Sequence, residues 1–185
     1  MGRPKALLPI GSTNETFFDR VTRTLLEAGV SDIVVVVGAD ADAIRGGVRP
    51  GAGVRIVDNP DYEQGQLTSM LAGLRAIDTA VASAALMTLI DVPLVSADTV
   101  RKLIAAQRES GAPIVRPVSG GRHGHPVIFG RMLFDEFQRA DPARGAKPVV
   151  RAHAAEIIEV PVEDEGAFAD IDTREDYERL IGVLP

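Results

Sequence analysis

Two hydrophobic rhythms alternate along the chain. Ile33 to Val37 (IVVVV) is an unbroken aliphatic run, and Ala84 onward reads AALMTLIDVPLV. Short apolar runs without polar alternation predict strands buried on both faces, the habit of parallel sheets. Val54 to Val57, Pro113 to Pro117, Pro126 to Phe129 and Ile157 to Val162 predict further strands. Between them apolar residues recur at helical intervals. Phe17, Phe18, Val21, Leu25 and Leu26 predict a first helix, with Ser12 and Glu15 at capping-box spacing and Gly29 closing it. Asp42 to Gly46 predicts a short helix. Met70, Leu71, Leu74 and Ile77 follow Gly65-Gln66-Leu67-Thr68-Ser69 as another. Asp98 to Ser110 is helical with Val100, Leu103 and Ile104 inward. Helices are also predicted to start at Met132 and to run from Arg144-Gly145 to His153. A last one follows Thr173, which has Asp176 at capping spacing.

Strands alternating with helices predict an α/β fold of βαβ units, a mostly parallel sheet with right-handed crossovers. Pro113 to Phe129 holds two strands with no helix between them, so a hairpin or an antiparallel strand is expected and the sheet is mixed. The run from Ala84 is predicted to end at Asp91, because Pro93 cannot donate to a ladder. Asp91 is thereby placed at the carboxyl end of a buried strand, where open α/β sheets bind ligands. A carboxylate there needs a partner or a metal. It reads either as a turn or N-cap aspartate, or as a Mg²⁺ ligand.

Size and charge narrow the class. The chain has 185 residues, enough for one domain with a sizeable core. Its formal charge of −6, with no Lys/Arg block, argues against nucleic acid or a membrane surface as partner. No apolar run approaches the ~18 residues of a membrane span. The start, MGRPKALLP, lacks the features of a signal peptide. The absence of cysteine excludes disulfides and thiolate metal sites. A cytoplasmic enzyme or binding domain is expected.

Several polar groups fall at the predicted carboxyl ends of strands: Asp91, Asp58-Asn59, and Asp170 with Asp172. The opening loop adds Arg3 and Lys5. Converging carboxylates can share one Mg²⁺, which keeps waters and substrate phosphates as further ligands. Nearby cations would neutralise charge developing on a transferred phosphate. Each element has a plainer reading. Asp172-Thr173 reads equally as a helix cap, and Arg3 and Lys5 as a solvated pair. Gly65 to Ser69 opens a helix whose first N–H groups can hold an anion or simply form a cap. His125, in Gly124-His125-Pro126, is either a donor to substrate or a solvated loop histidine. His123 with His125 is a poor zinc pattern, lacking further ligands at suitable spacing.

These segments, taken together and in order, resemble the MobA-like nucleotidyltransferases, in particular their molybdenum cofactor cytidylyltransferase branch. The matching pieces are MGRPKALL from Met1, Asn59-Pro60, Gly65 to Ser69, Asp91-Val92-Pro93-Leu94-Val95, Gly124-His125-Pro126-Val127, Arg144-Gly145-Ala146 and Asp170-Ile171-Asp172-Thr173. The resemblance implies a three-layer Rossmann-like, GT-A-related fold with helices on both faces of a mostly parallel mixed sheet. It implies Mg²⁺-dependent transfer of CMP from CTP to the phosphate of a molybdopterin-type cofactor, with release of pyrophosphate. By resemblance Lys5 and Arg3 contact the triphosphate, and Asp91 holds Mg²⁺ with Asp170 or Asp172. Gly65, Gln66, Thr68, Ser69 and His125 contact the acceptor. A molybdoenzyme or its chaperone is a further implied partner.

In the family, a buried strand and a glycine-rich loop of the form L-A-A-G-x-S-x-R precede the segment matching MGRPKALL. Residues 1–185 are therefore expected to be a nucleotidyltransferase domain truncated at its N-terminus. Loss of a central strand rivals the about 5–15 kcal/mol that stabilises a whole domain, so this chain is expected to fold poorly or to be inactive. Other readings remain within the resemblance: GTP as donor, another phosphorylated acceptor, or a non-catalytic module binding nucleotide or cofactor. Oxidoreductases also occur among such relatives. No G-x-G-x-x-G follows a strand here, which disfavours a dinucleotide cofactor.

Overall fold

The computed structural model describes residues 2–78 and 81–182. Met1, where the opening match begins, lies outside them. In chain order the elements are α1 (Phe17–Glu27), β1 (Ile33–Val37), α2 (Ala41–Gly47), β2 (Val54–Asp58), α3 (Gln66–Ala76), β3 (Ala84–Met87) and α4 (Ala97–Ser110). Then follow β4 (Ile114–Ser119), β5 (Arg122–His123), β6 (Val127–Gly130), α5 (Phe134–Arg139), α6 (Lys147–Ala152), β7 (Ile157–Pro161) and α7 (Arg174–Leu180).

The strands form two ladders. β1 pairs in parallel with β2. β3, β6, β4 and β5 lie in that order, with β7 on β4. β6 runs antiparallel to both β3 and β4, and β7 runs parallel to β4, so β3, β4 and β7 share one direction. The two strands expected between Pro113 and Phe129 are thus the antiparallel pair β4 and β6, with the short β5 hairpinned onto β4. α3 carries the chain from the end of β2 back across β1 and β2 before β3 begins. That return sets β3 in the direction of β1 and β2.

Helices cover both faces. On one face, Leu67, Leu71 and Leu74 of α3 pack with Ile114, Phe129, Phe134 and Phe137. On the other, Val21 and Leu25 of α1 pack with Ile33, Val95 and Val100. α7 closes the rim: Tyr177 stacks on Phe17 with ring centroids 6.1 Å apart and donates its hydroxyl proton to the Pro9 carbonyl at 2.7 Å.

Two local expectations are corrected. The first helix is capped by Thr16, not Ser12. The Thr16 hydroxyl accepts from Asp19 N, and the Asp19 carboxylate accepts from Thr16 N. Glu15 cannot serve the expected box, because its carboxylate accepts from Arg20 and Arg23 and its carbonyl accepts from Ile10 N. The strand expected to run to Asp91 ends at Met87. Met87 pairs with Val127, and the next partner would be Pro126, which has no N–H. The chain turns there instead, with Val92 N bonded to Leu89 O.

Replacing Thr16 with Ala should lower stability by about 0.5–2 kcal/mol, the usual loss for a helix cap. Replacing the exposed Ser12 with Ala should change it by less than about 0.5 kcal/mol. Urea midpoints at unchanged slope measure both. A larger effect at Ser12 would overturn the assignment.

Candidate active site

The site assembles at the carboxyl end of β3. Pro4 leads into a single 3₁₀ turn, Lys5–Leu7, whose Ala6 and following Leu8 are buried. This packing fixes the backbone under Lys5 and directs its side chain to the rim. Lys5 Nζ donates to Asp91 Oδ2 at 3.2 Å and to Asp172 Oδ1 at 2.5 Å. Burial alone would lower the Lys5 pKa, but bonds to Asp172 and Asp91 outweigh it and the ammonium is held more firmly than in water. The Asp91 side chain is 22% exposed and that of Asp172 64%.

Asp91 is not a helix cap. α4 is capped by Ser96, whose hydroxyl accepts from Thr99 N. Asp172 is not one either, since Thr173 caps α7 in a reciprocal box with Asp176. The two loops are also joined through their backbones, Ile171 N donating to Asp91 O at 2.8 Å. Asp164, which the sequence did not single out, positions the loop before them. Its carboxylate accepts from Ser96 N, Thr99 Oγ1 and Gly166 N, and these bonds overcome burial and lower its pKa.

His125 stands on the same rim. Its N–H donates to Ala167 O at 2.8 Å. Gly124 permits this approach, since a Cβ there would lie 2.2 Å from the Ala167 carbonyl oxygen. Burial pushes the imidazole pKa below 6.5, against the pull of Asp170, the Met87 carbonyl and Asp91. Asp170 thus acts on His125 through its charge, as Asp91 does, while Asp91 and Asp172 share Lys5. Among the described residues, the buried side-chain atoms without a hydrogen-bond partner are Thr88 Oγ1, Asp91 Oδ1 and His125 Nδ1. Each unsatisfied group costs about 1–3 kcal/mol. Thr88 and Asp91 follow β3 and His125 precedes β6, which pairs with it. Thr88 was legible in the sequence only as a β-branched strand residue.

Other candidates are placed differently. Asn59 is buried, and its amide donates to Thr68 Oγ1 and Ser69 Oγ, both at 2.9 Å. The Thr68 hydroxyl also bonds the Gly65 and Asp61 carbonyls, so it is committed to holding the start of α3. Gly65 adopts φ 108°, a conformation open to glycine. Gln66 and Ser69 share a cavity wall with Thr88. Arg3 is exposed and makes no ion pair among the described residues. Asp58 turns to Arg45 at 2.8 Å. His123 pairs with Glu159, and His153 bridges Glu136 and Glu156.

Asp91 and Asp172 both reach one ammonium, so one cation can bridge them, and Asp91 Oδ1 is a buried acceptor left over. Among the described residues no group of three or more His, Asp or Glu side chains converges as a metal cage. Such a pair suits Mg²⁺, which takes one or two carboxylates and completes its shell with water and phosphate oxygens.

Residues 1–157 match the MobA-like NTP transferase domain family. Nicotine blue oxidoreductase of Paenarthrobacter nicotinovorans is 30% identical, over 98% of this chain and 90% of that one. Molybdenum cofactor cytidylyltransferase of Escherichia coli K12 is 28% identical, over 96% and 86%. The crystal structure of Rv0371c from Mycobacterium tuberculosis H37Rv in complex with manganese superposes with a TM-score of 0.78 at 27% identity, covering 97% of this chain and 92% of that one.

The histidines should titrate on opposite sides of 6.5. The bonds of His153 to Glu156 and Glu136 raise its pKa, whereas burial lowers that of His125. The contribution of His125 to stability is complete above the unfolded value of about 6.5 and is lost as pH falls through the lower folded value. Imidazole NMR titration of wild type and His125→Asn checks this. A His125 midpoint at or above 6.5 would contradict its burial.

Proposed function

Because the chain belongs to the MobA-like NTP transferase family, we propose that it transfers CMP from CTP to the phosphate of a molybdopterin-type cofactor, with Mg²⁺ as its metal. The observation that carries this reading is the ammonium of Lys5 held between Asp91 and Asp172 at a rim with three unsatisfied buried polar atoms. The likeness to the Escherichia coli cytidylyltransferase supports the choice of acceptor and base.

In the reaction an acceptor phosphate oxygen bonds to the α-phosphorus of CTP. The bond from that phosphorus to the bridging oxygen of the β-phosphate breaks, and pyrophosphate leaves with the electron pair. The acceptor phosphate is already anionic at neutral pH, so no serine, cysteine or histidine nucleophile is needed. Positioning and charge neutralisation supply most of the rate. Lys5, with Arg3 free to swing in from solvent, faces the triphosphate. Asp91 and Asp172 would hold Mg²⁺, which neutralises phosphate charge when bound, and Asp170 adds negative potential at His125. His125, kept neutral by burial, offers a hydrogen bond to the acceptor without adding charge. Gln66, Ser69 and the first N–H groups of α3 line the acceptor side. Thr68 keeps Gly65 in place for them.

Pyrophosphate release and nucleotide binding across CTP, GTP, ATP and UTP, with molybdopterin-type cofactor as acceptor, test the proposal. CTP should be preferred. Asp91→Ala and Lys5→Ala should each lower kcat/KM by about 10²–10³-fold, the scale of one lost transition-state electrostatic contact. Preference for GTP would retain the transferase and change the base. Nucleotide binding without turnover would make the chain a binding module. Failure to bind any of the four would leave the oxidoreductase relative as the better guide.

A further inference from the structure

Tyr62 breaks the pattern set by the other aromatic residues. Six of the chain's eight are buried, and Phe168 lies beneath the Arg122 guanidinium, 5.0 Å from its ring centroid. Tyr62 is 41% exposed, and among the described residues neither a second ring nor a cation covers it. A single exposed apolar side chain is ordinary on a protein surface. Tyr62 differs because it is braced. Its Cβ and Cγ lie against the backbone of Gly38, where an added Cβ would stand 2.5 and 2.6 Å from them. The position after β1 is thus left without a side chain so that the phenol can seat there.

The backbone beneath the ring is fixed as closely. Tyr62–Gln64 is a single 3₁₀ turn. Asp61 N donates to Asn59 Oδ1 at 3.0 Å, and the Asp61 carbonyl accepts from Gln64 N and from the Thr68 hydroxyl, both at 3.0 Å. Gly65 N closes the turn on the Tyr62 carbonyl at 3.1 Å. Asn59, buried and also bonded to Thr68 and Ser69, ties this turn to the start of α3. A side chain with two rotatable bonds on such a backbone binds with little further loss of freedom. The turn follows the carboxyl end of β2, and Gly38 follows that of its parallel neighbour β1. Open α/β sheets bind their ligands at such ends. Gln66, four residues after Tyr62, shares a cavity wall with Thr88, whose loop carries Asp91.

We propose that Tyr62 is a stacking platform for the flat, amino-bearing nitrogen heterocycle of a substrate, whether nucleobase or pterin. Two features select that class of ligand. An exposed phenol offers a π face, which takes planar rings of many kinds. Its chain neighbours Asp61 and Glu63 are both exposed acids. Their charge repels a phosphate and favours the N–H donors of an amino heterocycle, so the ring end of a substrate belongs at Tyr62 and the phosphate end at Lys5. The proposal deepens the transferase reading and rests on it for the substrates that carry such rings.

Equilibrium binding tests it with three probes: CTP, 6-hydroxymethylpterin and inorganic tripolyphosphate. Tyr62→Ala should weaken binding of CTP, of the pterin or of both by about 5- to 100-fold, the range of one lost base–aromatic stack. Tyr62→Phe, which keeps the ring, should bind them nearly as wild type does. Tripolyphosphate has no ring and should bind no worse to Tyr62→Ala than to wild type. Loss confined to CTP assigns the platform to the base, and loss confined to the pterin assigns it to the acceptor. The chain has no tryptophan, so Tyr62→Trp adds a single indole fluorophore. A stacked ring should quench it, and tripolyphosphate should not. Unchanged affinity of Tyr62→Ala for both ring probes overturns the proposal. So does an equal loss for tripolyphosphate, or a wild type that binds neither ring probe. Pyrophosphate release separates this outcome from that of the transferase reading. Tyr62-dependent ring binding without turnover keeps the platform and refutes the transferase, and turnover indifferent to Tyr62→Ala does the reverse.

Discussion

Lys5 joins parts of the chain that are far apart. Its ammonium bonds one carboxylate 86 residues away and another 167 residues away. The opening turn, the segment after β3 and the loop before α7 are thereby drawn to one rim. The backbone repeats the link, with Ile171 bonded to Asp91. A half-buried acid and an exposed one on a single lysine leave excess negative charge, and that excess favours a divalent cation. The ion pair is thus both a fastening and the electrostatic ground of the site.

Around it the rim is tuned by burial. The backbone N–H of His125 donates a hydrogen bond to the Ala167 carbonyl, possible because Gly124 has no Cβ. Desolvation holds its imidazole pKa below 6.5 against the pull of Asp170 and Asp91. Thr88, Asp91 and His125 each keep a buried atom unpaired. Native structures retain such costs where a ligand satisfies them. Asp164 and Asn59 do the opposite work: their bonds are saturated, and they hold the loops and helix start that present the unsaturated groups.

The same rim borders a cavity of about 630 Å³ lined by β1 and β3. Thr88 belongs to both, lining the cavity and standing three residues before Asp91. Cavity and site therefore meet in one short stretch, Thr88 to Asp91.

The order and type of nearly every element was legible from periodicity, because burial on one or both faces leaves its rhythm in the local sequence. The aspartate in the turn after β3 and the lysine in the opening loop, which meet in an ion pair, were singled out as well, since charged groups next to buried runs need a reason. Tertiary structure decided the rest. Ser12 and Thr16 both offer a hydroxyl near the first helix, but Glu15 is claimed by Arg20 and Arg23, which leaves the cap to Thr16. β3 ends at Met87 because its neighbour there is a proline, a fact of register between strands some forty residues apart. Thr68 reads as a ligand group in isolation, yet its hydroxyl is consumed by Asn59 and two carbonyls. Spacing along a chain records which face a side chain takes. Only the folded arrangement records which partner reaches it first.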